Sequence, residues 1–218
     1  MTRILPDDER GRAAAIAALR AGEVVGLPTD TVYGIAAELR REGGIERLFA
    51  AKGRPPDKAI MVLLAEADQA ADVGVVTDAA HVLARVGWPG GLTLVLRQRI
   101  DAGLPPALTG GSDTIGVRLP DHAAPRALAA AVGPLPTTSA NLAGRPAAAT
   151  ASEIVEQLGD VVSIVLDGGP AAGPMASTVV DCSVERPRVL RAGVLAPEVL
   201  AAALDAAGIP HDLRPSVG

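Results

Sequence analysis

Only two of the twenty basic residues are lysines, Lys52 and Lys58, and both lie in Lys52-Gly53-Arg54-Pro55-Pro56-Asp57-Lys58. A compact ammonium and a planar guanidinium are not interchangeable, so this choice in an arginine-preferring chain is a signal. Lysine and arginine in one Gly/Pro loop suit anion binding; the plain alternative is a solvated loop. The single asparagine, Asn141, lies in Thr137-Thr138-Ser139-Ala140-Asn141. Hydroxyls beside an amide suit oxyanion binding, although asparagine is equally at home in an ordinary turn.

Other chemistries lack their residues. There is no G-x-x-x-x-G-K-[ST] or G-x-G-x-x-G run, and Gly168-Gly169-Pro170-Ala171-Ala172-Gly173 reads as a flexible loop. His81, His122 and His211 have no metal-ligand spacing, and Asp121-His122 reads as a surface turn, so no protein-held metal is expected. Ser139 lacks a G-x-S-x-G context. The lone Cys182 excludes an intrachain disulfide framework. A net charge of −5 argues against a polybasic nucleic-acid binder.

These groups must be positioned by a scaffold of aliphatic residues. The chain has 218 residues, 49% hydrophobic but 1% aromatic, which favours helix-on-sheet layers. Asp7-Asp8-Glu9 opens an Ala-rich helix ending near Gly22, and Val24–Leu27 reads as a buried strand closed by Pro28. Thr29 to Gly34 is a polar turn. A helix over 45–51 and an apolar run over 60–64 follow. Strands are expected over 92–96, 114–119, 162–166, 177–182 and 188–190, and helices over 123–131, 152–158 and 197–207. Two late strands adjoin without a helix between them, which argues for a mixed sheet in one α/β domain spanning residues 1–210. His211 to Gly218 reads as a frayed tail. Phe49 and Trp88 read as core; Tyr33, in the polar turn, could stack on a base or fill the core. No targeting or membrane-spanning segment is apparent, so a cytoplasmic protein is expected.

Seven segments in one order resemble the YrdC/Sua5 family, the threonylcarbamoyl-adenylate synthases. They are Gly22 to Gly34, Lys52 to Pro55, Trp88-Pro89-Gly90-Gly91-Leu92-Thr93, Val117-Arg118-Leu119-Pro120, Ser139-Ala140-Asn141-Leu142, Ser177-Thr178-Val179-Val180-Asp181 and Leu190-Arg191-Ala192-Gly193. The resemblance implies a twisted, open mixed sheet flanked by helices around a positively charged cleft. It also implies a nucleotidyltransferase reaction: L-threonine, bicarbonate and ATP, with Mg²⁺, give threonylcarbamoyl-AMP and pyrophosphate. The product would feed t6A formation at position 37 of tRNA through a downstream threonylcarbamoyl transferase, with at most weak contact to tRNA itself. By its length the chain reads as the short, stand-alone form. The alternative is a non-catalytic paralogue that binds nucleotide or RNA.

By the same resemblance, Lys52, Arg54, Ser139 and Asn141 form the reactive centre. Arg54, Lys58, Thr114, Asn141, Thr150 and Arg191 fall where relatives contact ATP. Thr31, Arg118, Ser139 and Ser177 fall where relatives hold threonine. Arg118 and Arg191 also read as edge charges of strands, and Thr150 before Glu153 also fits a capping box. Leu63 stands where many relatives place a threonine-contacting histidine.

Overall fold

A computed structural model of the chain describes residues 1–53, 59–173 and 175–213. Eleven strands form one mixed sheet: β1 (Arg3–Pro6), β2 (Val24–Leu27), β3 (Gly34–Ala36), β4 (Met61–Leu63), β5 (Gly74–Val75), β6 (Leu92–Gln98), β7 (Thr114–Arg118), β8 (Leu135–Ser139), β9 (Val162–Asp167), β10 (Thr178–Asp181) and β11 (Arg188–Arg191). Their spatial order is β1-β9-β2-β3-β8-β4-β7-β6-β10-β11, with β5 pairing beside β6. Parallel pairs (β1–β9, β9–β2, β4–β7, β6–β10) alternate with antiparallel ones such as β3–β8, β8–β4 and β7–β6. The mixed sheet expected from sequence is therefore present.

Among the described residues eight α-helices flank it: α1 (Glu9–Arg20), α2 (Gly44–Lys52), α3 (Ala70–Val73), α4 (Asp78–Gly87), α5 (Pro106–Thr109), α6 (Ala123–Val132), α7 (Ala151–Leu158) and α8 (Pro197–Ala206). Alternation along the strands sorts side chains to two faces. Val25, Leu27, Ala36 and Leu63 pack with Ala15, Leu19 and Leu128 of α1 and α6. Their neighbours Val24, Ile35, Val62 and Leu64 join the opposite core with Leu48, Leu83, Ile154 and Leu200. Each fully buried aliphatic side chain contributes about 1.5–3 kcal/mol, so small helices of alanine and leucine suffice to hold the sheet.

Four strands were not expected, among them the two-residue β5 beside β6. β1 is a four-residue edge strand, β3 is three residues long, and β8 carries Pro136 and polar residues. They form because the tertiary pairing outweighs weak local preference. β3 approaches β8 so closely that a side chain on Gly34 would lie 2.8 Å from the methyl of Thr137. Helix α4 was likewise unexpected; Thr77 caps it by accepting from the Ala80 amide at 3.2 Å.

Of the expected frayed tail, residues 211–213 are ordered against the domain and 214–218 lie outside the described residues. Leu213 is buried in the core, and the Asp212 amide donates to the Pro187 carbonyl at 2.8 Å. Asp212 also pairs with Arg186 at 2.8 Å, so residues 211–213 pack against the domain, because one buried leucine and a bridge to Arg188 tie them down. The Gly-rich loop is similarly anchored. Tyr33, wholly buried, donates its hydroxyl to the Gly169 carbonyl at 2.6 Å and accepts from the Gly168 amide at 3.2 Å. Its ring therefore fills the core, and burial pushes its phenol pKa up. Cys182 is buried too, and desolvation pushes its thiol up to about 12.

Candidate active site

Residues of β4, β6, β7, β8, β10 and β11, with the turn before β3, surround a cavity of about 560 Å³. Its wall includes Thr31, Thr114, Arg118, Ser139, Asn141, Ser177 and Arg191. The structure thus gathers into one concavity seven residues drawn from five separate sequence segments.

At one end, Arg118 leaves β7 almost fully buried, 2% exposed. Its Nη2 pairs with Asp30 Oδ1 at 2.6 Å, its Nη1 donates to Thr31 Oγ1 at 2.8 Å, and its Nε donates to the Gly90 carbonyl at 3.0 Å. Burial lowers the pKa of the guanidinium, and Asp30 opposes that shift. The arginine stays charged because no protein arginine is deprotonated near neutrality. These bonds use three of its five N–H groups, so a planar fork can still face a carboxylate. Arg118 is a wall residue here, not an exposed edge charge.

Ser177, 2% exposed, sits beside it. Its hydroxyl lies 2.8 Å from Thr93 Oγ1, and Thr93 in turn reaches Met61 Sδ at 3.7 Å. Arg191, on the exposed end of β11, donates to the Ser177 carbonyl through Nη2 at 2.9 Å and Nε at 3.2 Å. Two arginines therefore border one space, and the charge of Arg191 disfavours that of Arg118.

At the other end, Lys52 closes α2 and Gly53 stops the helix in the left-handed conformation, φ 59°. The lysine is 5% exposed and does not line the cavity. Its Nζ donates to Ser139 O at 2.6 Å, Ser139 Oγ at 3.1 Å and Asn141 Oδ1 at 3.0 Å. The asparagine amide donates through both Nδ2 protons, to Leu142 O and Arg145 O, each at 2.8 Å. An ammonium cannot accept and a carbonyl cannot donate, so the orientation of this amide is fixed. Asn141 consequently offers a ligand only an acceptor. Ser139 accepts from Lys52 and keeps its own proton to donate into the cavity.

Not every expected residue is in this constellation. Arg54 and Lys58 fall outside the described residues. Thr150 caps α7, its hydroxyl accepting from the Glu153 amide at 3.2 Å, while Glu153 accepts from the Ala149 amide at 2.8 Å. It is absent from the cavity wall. Leu63 is buried in the α1/α6 core, and Met61, two residues earlier on the same face of β4, lines the cavity instead. His122 is not a surface turn: it is half-buried and caps α6 by accepting from the Ala124 amide at 3.2 Å.

Sequence reasoning missed Asp30, Thr93, Met61 and Arg145. Asp30 lay inside a quoted segment, and only its burial against Arg118 distinguishes it. Arg145 carries no pattern at all; it reaches the wall because the 141–148 loop folds back, with its amide donating to Leu142 O at 3.0 Å. Among the described residues no group of three or more His, Cys, Asp or Glu could hold a metal ion, and no carboxylate lines the cavity.

The family model for Sua5, YciO and YrdC proteins, described as "Telomere recombination", matches residues 17–193. The chain belongs to the Sua5/YciO/YrdC family. It is 37% identical over 194 residues to the threonylcarbamoyl-AMP synthase of Bacillus subtilis, covering 88% of this chain and 56% of that one. It is 37% identical over 169 residues to the enzyme of the same name from Idiomarina loihiensis, covering 74% of this chain and 88% of the relative. The structure of Pyrococcus abyssi Sua5 complexed with L-threonine superposes over the whole of this chain, with a TM-score of 0.87 and 32% identity. This Sua5-family chain spans 63% of that protein, so it corresponds to a part of the longer members and to most of the shorter ones. Its sheet and flanking helices are the Sua5 fold.

Proposed function

We propose that this chain is a threonylcarbamoyl-AMP synthase, a nucleotidyltransferase that joins L-threonine, bicarbonate and ATP into threonylcarbamoyl-AMP with release of pyrophosphate and water. The observation that carries the reading is the two-ended cavity: Arg118, Thr31, Ser177 and Arg191 toward one end, Ser139 and Asn141 toward the other, in a fold shared with a protein crystallised with L-threonine.

The chemistry asks for such an arrangement. The threonine amine attacks the carbon of bicarbonate to give a carbamate, and a carbamate oxygen then attacks the α-phosphorus of ATP, expelling pyrophosphate. Two anions must meet in line, so positioning and charge neutralisation supply most of the rate. Arg118 receives the amino-acid carboxylate through its remaining N–H groups. Ser139 donates to a phosphate or carbamate oxygen, with Asn141 and its loop held in place by Lys52. The buried ammonium acts from behind these two residues, holding them and setting a positive potential toward the phosphates. Thr114 and Arg191 face the nucleotide. Arg54 and Lys58 are assigned to the phosphates, and Thr150, the cap of α7, to the nucleotide, on the family resemblance.

The donor set suits a magnesium ion carried by the nucleotide's own oxygens and water rather than by protein carboxylates. Bound that way, the ion would neutralise charge on the departing pyrophosphate. The product is a reactive mixed anhydride and calls for a downstream tRNA threonylcarbamoyl transferase, in keeping with a cytoplasmic role in tRNA processing. No helix among the described residues is long and apolar enough to cross a membrane.

Pyrophosphate release from ATP with bicarbonate and Mg²⁺, measured with and without L-threonine, tests the reading. Release should depend on threonine. Equal release with and without it, or none where ATP binds, would overturn the proposal.

A further inference from the structure

The two residues before Thr31 lie behind the cavity wall, and their hydrogen bonds can be counted proton by proton. Thr29 is 8% exposed and is not a wall residue. Its hydroxyl donates to the Val32 carbonyl at 2.7 Å, and a carbonyl can only accept. That uses the one proton Thr29 has. The same oxygen accepts from the Thr31 amide at 3.1 Å and lies 3.1 Å from Thr31 Oγ1. The proton in this last contact must therefore be that of Thr31.

Thr31 Oγ1 also accepts from Arg118 Nη1 at 2.8 Å, and a guanidinium can only donate. The hydroxyl of Thr31 thus has its proton on Thr29 and one lone pair on Arg118. One lone pair is left, on a residue that lines the cavity. This end of the cavity consequently presents the N–H groups of Arg118 and, next to them, a fixed acceptor. Ser139 at the other end has the opposite polarity, since it retains its proton.

We propose that Thr29 is a specificity-determining positioning residue: by taking the proton of Thr31, it leaves beside Arg118 an acceptor that reads a hydroxyl proton on the amino acid. The inference rests on the synthase reading and says which feature of the substrate is selected. The α-nitrogen, the nucleophile toward bicarbonate, keeps one N–H as a carbamate, so two donors could meet this acceptor; the assignment is to the proton of the side-chain hydroxyl, and valine, which has the nitrogen protons alone, separates the two. L-Valine, isosteric with threonine but lacking that proton, would leave the buried lone pair of Thr31 unpaired, and a site of this kind rejects such analogues strongly.

The test is equilibrium binding by calorimetry, which does not need turnover. The wild-type chain should bind L-threonine at least about tenfold more tightly than L-valine. Thr29→Val frees the Thr31 hydroxyl to rotate, and the preference should shrink by about tenfold through weaker threonine binding, with binding of a non-hydrolysable ATP analogue unchanged. Thr29→Ser keeps the acceptor and should keep the preference. An undiminished preference in Thr29→Val, or equal weakening of both amino acids, would overturn the assignment. Should Thr29→Val not fold, O-methyl-L-threonine decides on the wild-type chain, because it keeps the oxygen and loses the proton. It should bind no better than valine; binding within about threefold of threonine would refute a proton-reading subsite. Pyrophosphate release separates the two readings. Threonine preference without threonine-dependent release would sink the synthase assignment alone, and release with no Thr29 effect would sink this one alone. Failure of both amino acids to bind would sink both.

Discussion

Asp30 and Arg118, 88 residues apart in the chain, form a 2.6 Å ion pair in which the arginine is 2% exposed and the aspartate 16%. A guanidinium so deeply placed is tolerable only because its charge is balanced and its N–H groups are bonded. The pair also aims the guanidinium, since Asp30 holds Nη2 while Thr31 holds Nη1.

Asp30→Asn keeps the shape and removes the balancing charge. Loss of one partner of a buried pair should cost about 3 kcal/mol of unfolding free energy in urea titrations. The KM for threonine should rise by about tenfold or more, with the KM for ATP little changed. A uniform fall in kcat with both KM values unaltered would show that Asp30 does not act through the amino-acid end.

Lys52→Met should reduce kcat at least about 100-fold, because Ser139 and Asn141 lose the cation that orients them. Lys52→Arg should not restore it. Here one compact nitrogen reaches three oxygens of the 139–141 segment within 3.1 Å, and the longer, planar guanidinium spreads its donors over three nitrogens that do not fit that point. Steady-state rates beside melting curves check this, and activity in Lys52→Arg close to wild type would contradict the geometry.

Gly193 lies against the Ala176–Ser177 backbone that leads into β10. A side chain there would come within 2.4 Å of Ala176 O and 2.5 Å of Ser177 O, backbone atoms that cannot rotate away. Ser177 O is also the acceptor of two Arg191 bonds. Gly193→Ala should therefore cost about 1–3 kcal/mol and lower turnover by disturbing both residues. Thermal melting with a rate assay would reveal it, and a wild-type profile would show that the strand yields freely.

His122 caps α6 through Nδ1 as an acceptor, which requires the neutral ring at that nitrogen, and burial lowers its pKa. With the folded value below the unfolded one, the unfolded chain binds the proton first on acidification. Stability from this group is present above about pH 6.5 and is lost as pH falls toward the lowered folded value. His122→Asn supplies an untitratable cap and should flatten that part of the profile, while His122→Ala should cost about 1 kcal/mol at neutral pH. Urea unfolding across pH 5 to 8 measures both (roughly the range over which an ordinary histidine titrates). An unchanged slope in the asparagine variant would rule out the cap as its source.

The sequence alone determined the cast of the site and the class of fold. Scarcity drew attention to Lys52 and Asn141, and seven ordered segments pointed to the family that the comparisons then showed. Helices α1, α2, α6, α7 and α8 were legible because their 3.6-residue spacing and their breakers are local. Strands β3 and β8 were not, since three residues or a proline-bearing polar run become strands only when a distant partner pairs with them.

Tertiary structure alone decided how each polar group is used. Thr150 was a nucleotide candidate and a cap candidate on equal local terms, and the fold turns its hydroxyl to Glu153. Leu63 and Met61 share one face of a strand, and only the packing of α1 and α6 assigns the first to the core and the second to the cavity. Thr29 spends its proton within its own turn, on the Val32 carbonyl, but what Thr31 and Ser139 keep for a ligand depends on cations brought in from other segments, Arg118 and Lys52. Residue type and spacing state what a side chain can donate or accept; burial beside particular partners determines which of those capacities remains for a ligand.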